Sequence, residues 1–255
     1  MGPFNRYRVN RALFGAYYES DIYDRACAAM PLAMRAFHWR IDPAFKARRL
    51  IFVHVPRAAG MSVAEALGAR PLSHYSMRYY RTVAPRFAAE ADSFAVLRDP
   101  FERFASAYAM VRAGGAEKVR LSPPFLQQTA HIRSVDDYLS WLETRAPLQC
   151  DHVMRPQNWY VSDLKTGAVL VKRLFLLDTE AGALAAYLRG HGVEALGWSN
   201  RSERLPLDLS AEQCRRVEAL YHQDFALIET VRAQRAREAA AGAASRTAAV
   251  TVAAE

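Results

Sequence analysis

Residues 51–67 read IFVHVPRAAGMSVAEAL. An apolar, β-branched run ends at Pro56, passes an Arg, two Ala and a Gly, and opens into a segment of helical composition. This strand–loop–helix order is the layout of a loop that grips an anionic group where a helix begins. The loop lacks the G-x-x-x-x-G-K-[ST] of an ordinary nucleoside triphosphatase. Two more strand-like runs follow, SFAVLR (93–98) and AVLVKRLFLLD (168–178). A helix is expected after the first two, and for the second Asp99 is a good N-cap, with Pro100 at the first helical position. Such repeated units predict an α/β chain with a parallel sheet covered on both faces. Ligands then sit at the carboxyl ends of the strands, where both loops lie.

The remaining segments fit one domain. The 255 residues suffice for one α/β domain with appendages. Residues 1–47 read as a helical, aromatic-rich lead-in, 48–231 as the α/β domain, and 232–255 as an Ala- and Arg-rich tail, frayed or disordered. Gly114-Gly115 closes the helix after Asp99, and Ser134 and Ser210 head further helices. Half the residues are hydrophobic and 24% are charged, which excludes a disordered chain. A formal net charge of +8 suits a polyanionic partner such as a nucleotide, an acidic glycan, a nucleic acid or a membrane surface. Cys27, Cys150 and Cys214 lie apart, with no C-x-x-C pair and no metal-ligand spacing, and read as reduced structural thiols. No apolar run reaches the ~18–20 residues that span a bilayer. No recognisable nucleic-acid module is present, so no nucleic-acid partner is expected.

The second loop reads RDPFERFASAY (98–108). Arg98 ends a strand and can hold a phosphate bidentately; Ser106 lies two turns into the following helix and offers a hydroxyl. The bland alternative is an Arg98 ion pair with Asp99 or Glu102. Together, PRAAGMS (56–62) and RDPFERFASAY resemble the two donor-binding motifs of the nucleotide-dependent sulfotransferases, in particular the carbohydrate sulfotransferases and their bacterial relatives. Those motifs have the forms P-K-x-x-G-[TS]-[TS] and R-[DN]-P-[YF]-x-R-[FL]-x-S-x-[YF]. LSHYSMRYY (72–80), RPQNWYVSD (155–163) and NRSERLPLDLSAEQCRRVEALYHQDFALI (200–228) are similar to further family segments, so the resemblance covers about residues 50–228.

The resemblance implies a P-loop-like three-layer αβα fold and a donor, 3′-phosphoadenosine 5′-phosphosulfate (PAPS). Sulfuryl transfer to a hydroxyl leaves adenosine 3′,5′-bisphosphate and needs no metal, because cationic side chains and backbone N–H groups carry the electrostatic load. By match to the motifs, Arg57, Ala58, Ala59, Gly60, Met61 and Ser62 wrap the phosphosulfate, with Gly60 allowing close approach and Ser62 capping the helix. Arg98 and Ser106 hold the 3′-phosphate, and Arg201 and Ser202 belong to a loop over the nucleotide. His74 is the expected base, with Arg57 assisting at the leaving phosphate. His54 reads as a packed core residue, while His152 and Gln157 are open between the acceptor cleft and structure. The acceptor is expected to be a carbohydrate, glycolipid or other hydroxylated metabolite, and the location cytoplasmic, in a bacterium. Oligomeric state is not legible.

Two departures qualify the match. Arg57 stands where the family has Lys, and Met61 where it has a hydroxyl residue; a guanidinium is not interchangeable with an ammonium. A catalytically weakened nucleotide- or glycan-binding relative is therefore the alternative. A P-loop kinase is disfavoured by the absent G-K-[ST] and by the lack of an acidic Mg²⁺ ligand after a strand.

Overall fold

The computed structural model describes residues 6–69, 74–115, 120–197 and 207–252. Strands β1 (Leu50–Val53), β2 (Asp92–Leu97) and β3 (Arg173–Leu176) form one small parallel sheet in the order β1-β2-β3. Val53 pairs with Ala95, and Leu97 with Leu176. All four residues of β1 and five of six in β2 are buried. Successive side chains point to opposite faces, so both faces of these strands are covered, as the apolar runs predict.

β1 and β3 are shorter than their runs, and β2 (Asp92–Leu97) matches its run in length, one residue earlier. Pro56 cannot donate to a ladder, and β1 leaves the sheet at Val53, ahead of it. The expected strand over 168–178 is reduced to β3: Val169 bridges Ser162 in antiparallel fashion instead, and the Lys172 N–H donates to the Ser93 hydroxyl at 3.0 Å. Strand order follows chain order, so these three strands have no reversal point of the kind where doubly wound sheets open a crevice. The two loops of interest leave neighbouring carboxyl ends, those of β1 and β2.

Helices outnumber strands. Before β1 come α1 (Arg6–Phe14), α2 (Glu19–Ala29), α3 (Pro31–Met34) and α4 (Pro43–Arg48); between β1 and β2 come α5 (Gly60–Ala66), α6 (Met77–Val83) and α7 (Pro85–Glu90). Between β2 and β3 come α8 (Pro100–Ala113), α9 (Pro123–Thr129), α10 (Val135–Glu143) and α11 (Asn158–Val161); α12 (Ala181–Gly190), α13 (Ala211–Leu220) and α14 (His222–Val252) follow β3. The caps at Asp99, Ser134 and Ser210 fall where the sequence places them. Asp99 accepts from the N–H groups of Phe101 and Glu102, and Ser134 and Ser210 each form a capping box. α8 closes at left-handed Gly114.

The lead-in packs into the same core as the sheet. Cys27, Met34, Ile41 and Phe45 share an apolar cluster with Ile51, Phe52, Phe94 and Phe175. Asp21 of α2 holds Arg155 in a bidentate pair of 2.5 and 2.8 Å, both side chains fully buried. At the other end, residues 232–252, expected as a frayed or disordered tail, continue α14. No helix of the described residues is long and apolar enough to cross a membrane.

Candidate functional site

The chain turns from β1 into α5 through Arg57 and Ala59, both in the left-handed region at φ 67° and 59°. Side chains with a Cβ adopt it at about 1–2 kcal/mol each. Ala59 is the N-cap of α5 and caps without a side-chain bond. This corrects the expectation for Ser62, which lies third in α5, buried, and does not cap it: the left-handed turn at Ala59 starts the helix three residues earlier. A left-handed residue leading into a right-handed one turns neighbouring N–H groups to one side, as in anion-binding backbone nests. Gly60 is sterically required, because a Cβ there would overlap the His54 imidazole at Cδ2 and Nε2. Ala58 is buried in the apolar core and Met61 is half-buried.

α5 has only seven residues, so most of the positive charge must come from side chains. Arg57 reaches across to α8 and donates from Nε and Nη2 to the Ser106 hydroxyl at 2.9 and 2.6 Å. Arg103 is 2% exposed and donates to the carbonyls of Pro56 (3.0 Å) and Val153 (3.3 Å), pinning the first loop to α8. Arg98 takes the bland partner: its Nη2 donates to Glu102 at 3.0 Å, one turn along. Among the described residues no carboxylate lies within ion-pair distance of Arg57 or Arg103. Desolvation first, then repulsion from Arg98 and Arg103, lowers the Arg57 pKa below its ordinary value. Three guanidiniums thus converge on two strand ends, with Glu102 against Arg98 and the buried Asp224 near Arg103, an arrangement that leaves Arg57 for an anion to relieve.

The end of β2 is held from behind. Gln157 accepts from the Arg98 N–H (2.9 Å) and donates to the Arg98 carbonyl (2.8 Å), as a further strand would. The N–H groups of Gln157 and Asn158 in turn donate to Asp224 at 2.7 and 2.9 Å. Asp224 is fully buried; desolvation raises its pKa, and Arg103 is the largest opposing influence. Gln157 is therefore a structural residue, with its amide committed to Arg98.

Three histidines lie in a row beside the loop, their rings tilted against one another. The ring centroids of His54 and His74 lie 4.5 Å apart, and those of His74 and His152 4.8 Å. The Tyr160 hydroxyl donates to the His152 carbonyl (3.1 Å), so at the 3.1 Å contact between that hydroxyl and His152 Nδ1 the imidazole is the donor. Burial holds His152 well below its ordinary pKa, so it is neutral and its Nε2 accepts from Ser20 (3.1 Å). His152 is a satisfied core residue, not an acceptor-cleft group. His74 differs. Its Nδ1 faces the His54 carbonyl at 3.5 Å, which assigns the proton to Nδ1 and leaves the Nε2 lone pair available. Desolvation lowers its pKa to about 4, against the carbonyl bond to His54, with Arg155 and Arg103 adding to the fall.

The structure brings Arg57, Ser106, Arg98 and the backbone of 58–62 to one place, with His74 next to it through His54. It pairs Ser106 with Arg57 rather than with Arg98. Arg201 and Ser202 lie outside the described residues. Arg103 enters the sequence reading only as the second Arg of RDPFERFASAY, and Asp224 not at all; an acidic residue inside the apolar spacing of YHQDFALI was the available signal. Among the described residues no group of three or more His, Cys, Asp or Glu is arranged to hold a metal ion. Comparison with protein-family models, with curated proteins and with solved structures found no match.

Proposed function

We propose that the protein transfers a sulfuryl group from 3′-phosphoadenosine 5′-phosphosulfate to a hydroxyl of a glycan, glycolipid or other hydroxylated metabolite. The observation that carries this reading is the Arg57–Ser106 contact, flanked by Arg98 and Arg103, where β1 and β2 end side by side. Two motifs 49 residues apart in the chain meet there, as a donor with phosphate groups at both ends requires. In the reaction the acceptor oxygen attacks sulfur, the bond from sulfur to the bridging phosphate oxygen breaks, and the hydroxyl proton passes to His74 Nε2. Arg57 stabilises the charge on the leaving phosphate. The reading entails that the small sheet is the centre of a P-loop-like αβα core. It also entails a cytoplasmic location, where the donor is made, and turnover without metal.

Calorimetric titration of adenosine 3′,5′-bisphosphate and of ADP, without metal, tests the reading. The bisphosphate is expected to bind more tightly, and Arg98→Ala to erase most of the difference. Equal binding of the two, or ADP binding that needs Mg²⁺, would sink it.

A second reading, a nucleotide-binding relative with little turnover, is favoured by one observation. A base with a pKa near 4 is neutral at working pH but a weak proton acceptor. Sulfate transfer from labelled donor to a panel of sugars and phenols separates the two. Transfer abolished by His74→Gln supports the enzyme; bisphosphate binding without transfer supports the binder.

A further inference from the structure

Six large apolar side chains among the described residues stand exposed, and four of them, Leu13, Phe14, Met30 and Leu32, lie on the first three helices and at the corner between α2 and α3. Leu13 and Leu32 are 70 and 73% exposed. Around the corner from α2 to α3 the exposed run is unbroken, from Ala28 through Ala29, Met30, Pro31 and Leu32 to Ala33. Consecutive apolar residues facing water are costly unless something covers them. Arg25 joins the two parts. It precedes Ala28 and Ala29 by one turn on the same face of α2, and its guanidinium donates to the Phe14 carbonyl at 2.6 Å.

The charge left over around this corner is positive. Residues 1–41 hold six arginines and three acids. Asp21 is taken by Arg155 in the interior, Asp24 by Ser76 and Arg78, and Glu19 by Arg40. Arg8, Arg11 and Arg25 face solvent with none of those acids beside them. Apolar side chains mixed with arginines, with the exposed acid Glu19 already paired to Arg40, match an anionic lipid surface, where the apolar groups enter the headgroup region and the guanidiniums meet phosphates.

We propose that α1 and the α2–α3 corner dock the protein on an anionic membrane surface, lying on it without crossing it. The proposal does not rest on the sulfotransferase reading. The test is co-sedimentation of the full chain with vesicles of phosphatidylcholine alone and of phosphatidylcholine with phosphatidylglycerol. Binding is expected only to the anionic vesicles and is expected to weaken with added salt. Arg8→Ala and Arg11→Ala should each lower partitioning roughly five-fold. Leu13→Ser with Leu32→Ser should lower it at every salt concentration, with the thermal midpoint unchanged. Three results would overturn the proposal: no partitioning, equal partitioning on neutral vesicles, or wild-type partitioning of the leucine double variant. A concentration-dependent dimer that the leucine variant dissolves, in a protein that ignores vesicles, would also overturn it and assign the corner to a second copy.

Discussion

Gly60 and His54 explain each other. The loop can pass over the imidazole only where no Cβ intervenes. Gly60→Ala should therefore destabilise the fold by about 1–3 kcal/mol, as overpacking of a closed site does. Its effect should be largely relieved in combination with His54→Ala, because the clash disappears with the ring. Urea unfolding of both single variants and the double gives the coupling; strictly additive effects would show that the loop shifts rather than clashes. The sequence PRAAGMS marks Gly60 as a position of close approach. It does not reveal that the approach is to His54, because that contact folds a loop back onto the strand it has just left. The Arg57–Ser106 pair is similar: both residues are legible as anion ligands, but their mutual contact depends on how β1 and β2 align.

At the scale of elements, what is local is what could be read. Asp99, Ser134 and Ser210 cap helices with their own side chains a few residues on, and those helices start where expected. Strand ends were not readable, because they depend on partners far along the chain. β3 is short because Val169 finds Ser162 instead. The end of β2 is extended in effect by Gln157, 59 residues away, and Gln157 is itself seated on Asp224. Removing that side chain leaves the Arg98 N–H and carbonyl unpaired. Gln157→Ala should cost about 2 kcal/mol of stability. It should also reduce the preference for adenosine 3′,5′-bisphosphate over ADP, since Arg98 would no longer leave the sheet at a fixed angle. Calorimetry on the variant, below its unfolding range, checks this; an unchanged preference would show that Arg98 is positioned by α8 alone.

Across the whole molecule the lead-in, the sheet and α14 are linked by buried polar groups: Asp21 with Arg155, Ser20 with His152, Asp224 with Gln157. Such groups are written in the sequence as ordinary Asp, Ser and Gln, and only burial makes them costly to leave unpaired. The buried histidines and aspartates give a prediction for the entire fold. His74 has a folded pKa near 4 against an ordinary 6.5, and His152 is lowered in the same sense. Between about pH 6.5 and 4 the unfolded chain therefore binds protons that the folded chain refuses, so stability falls as pH falls through that window. By about pH 5 the His74 contribution alone amounts to roughly 2 kcal/mol. Asp24, Asp151 and Asp224 act with the opposite sign. Desolvation raises their folded pKa values above 3.8, so the folded chain takes up protons first, which offsets part of the loss at the acid end. The urea midpoint should thus drop from about pH 7 to 5 and then flatten. His74→Gln, which cannot titrate, should remove a corresponding share of the drop while leaving the acid-end flattening in place. If the variant keeps the full wild-type slope, the imidazole of His74 is hydrated and titrates near its ordinary value. It would then be a stronger base than its surroundings here imply, which favours the enzyme over the binder.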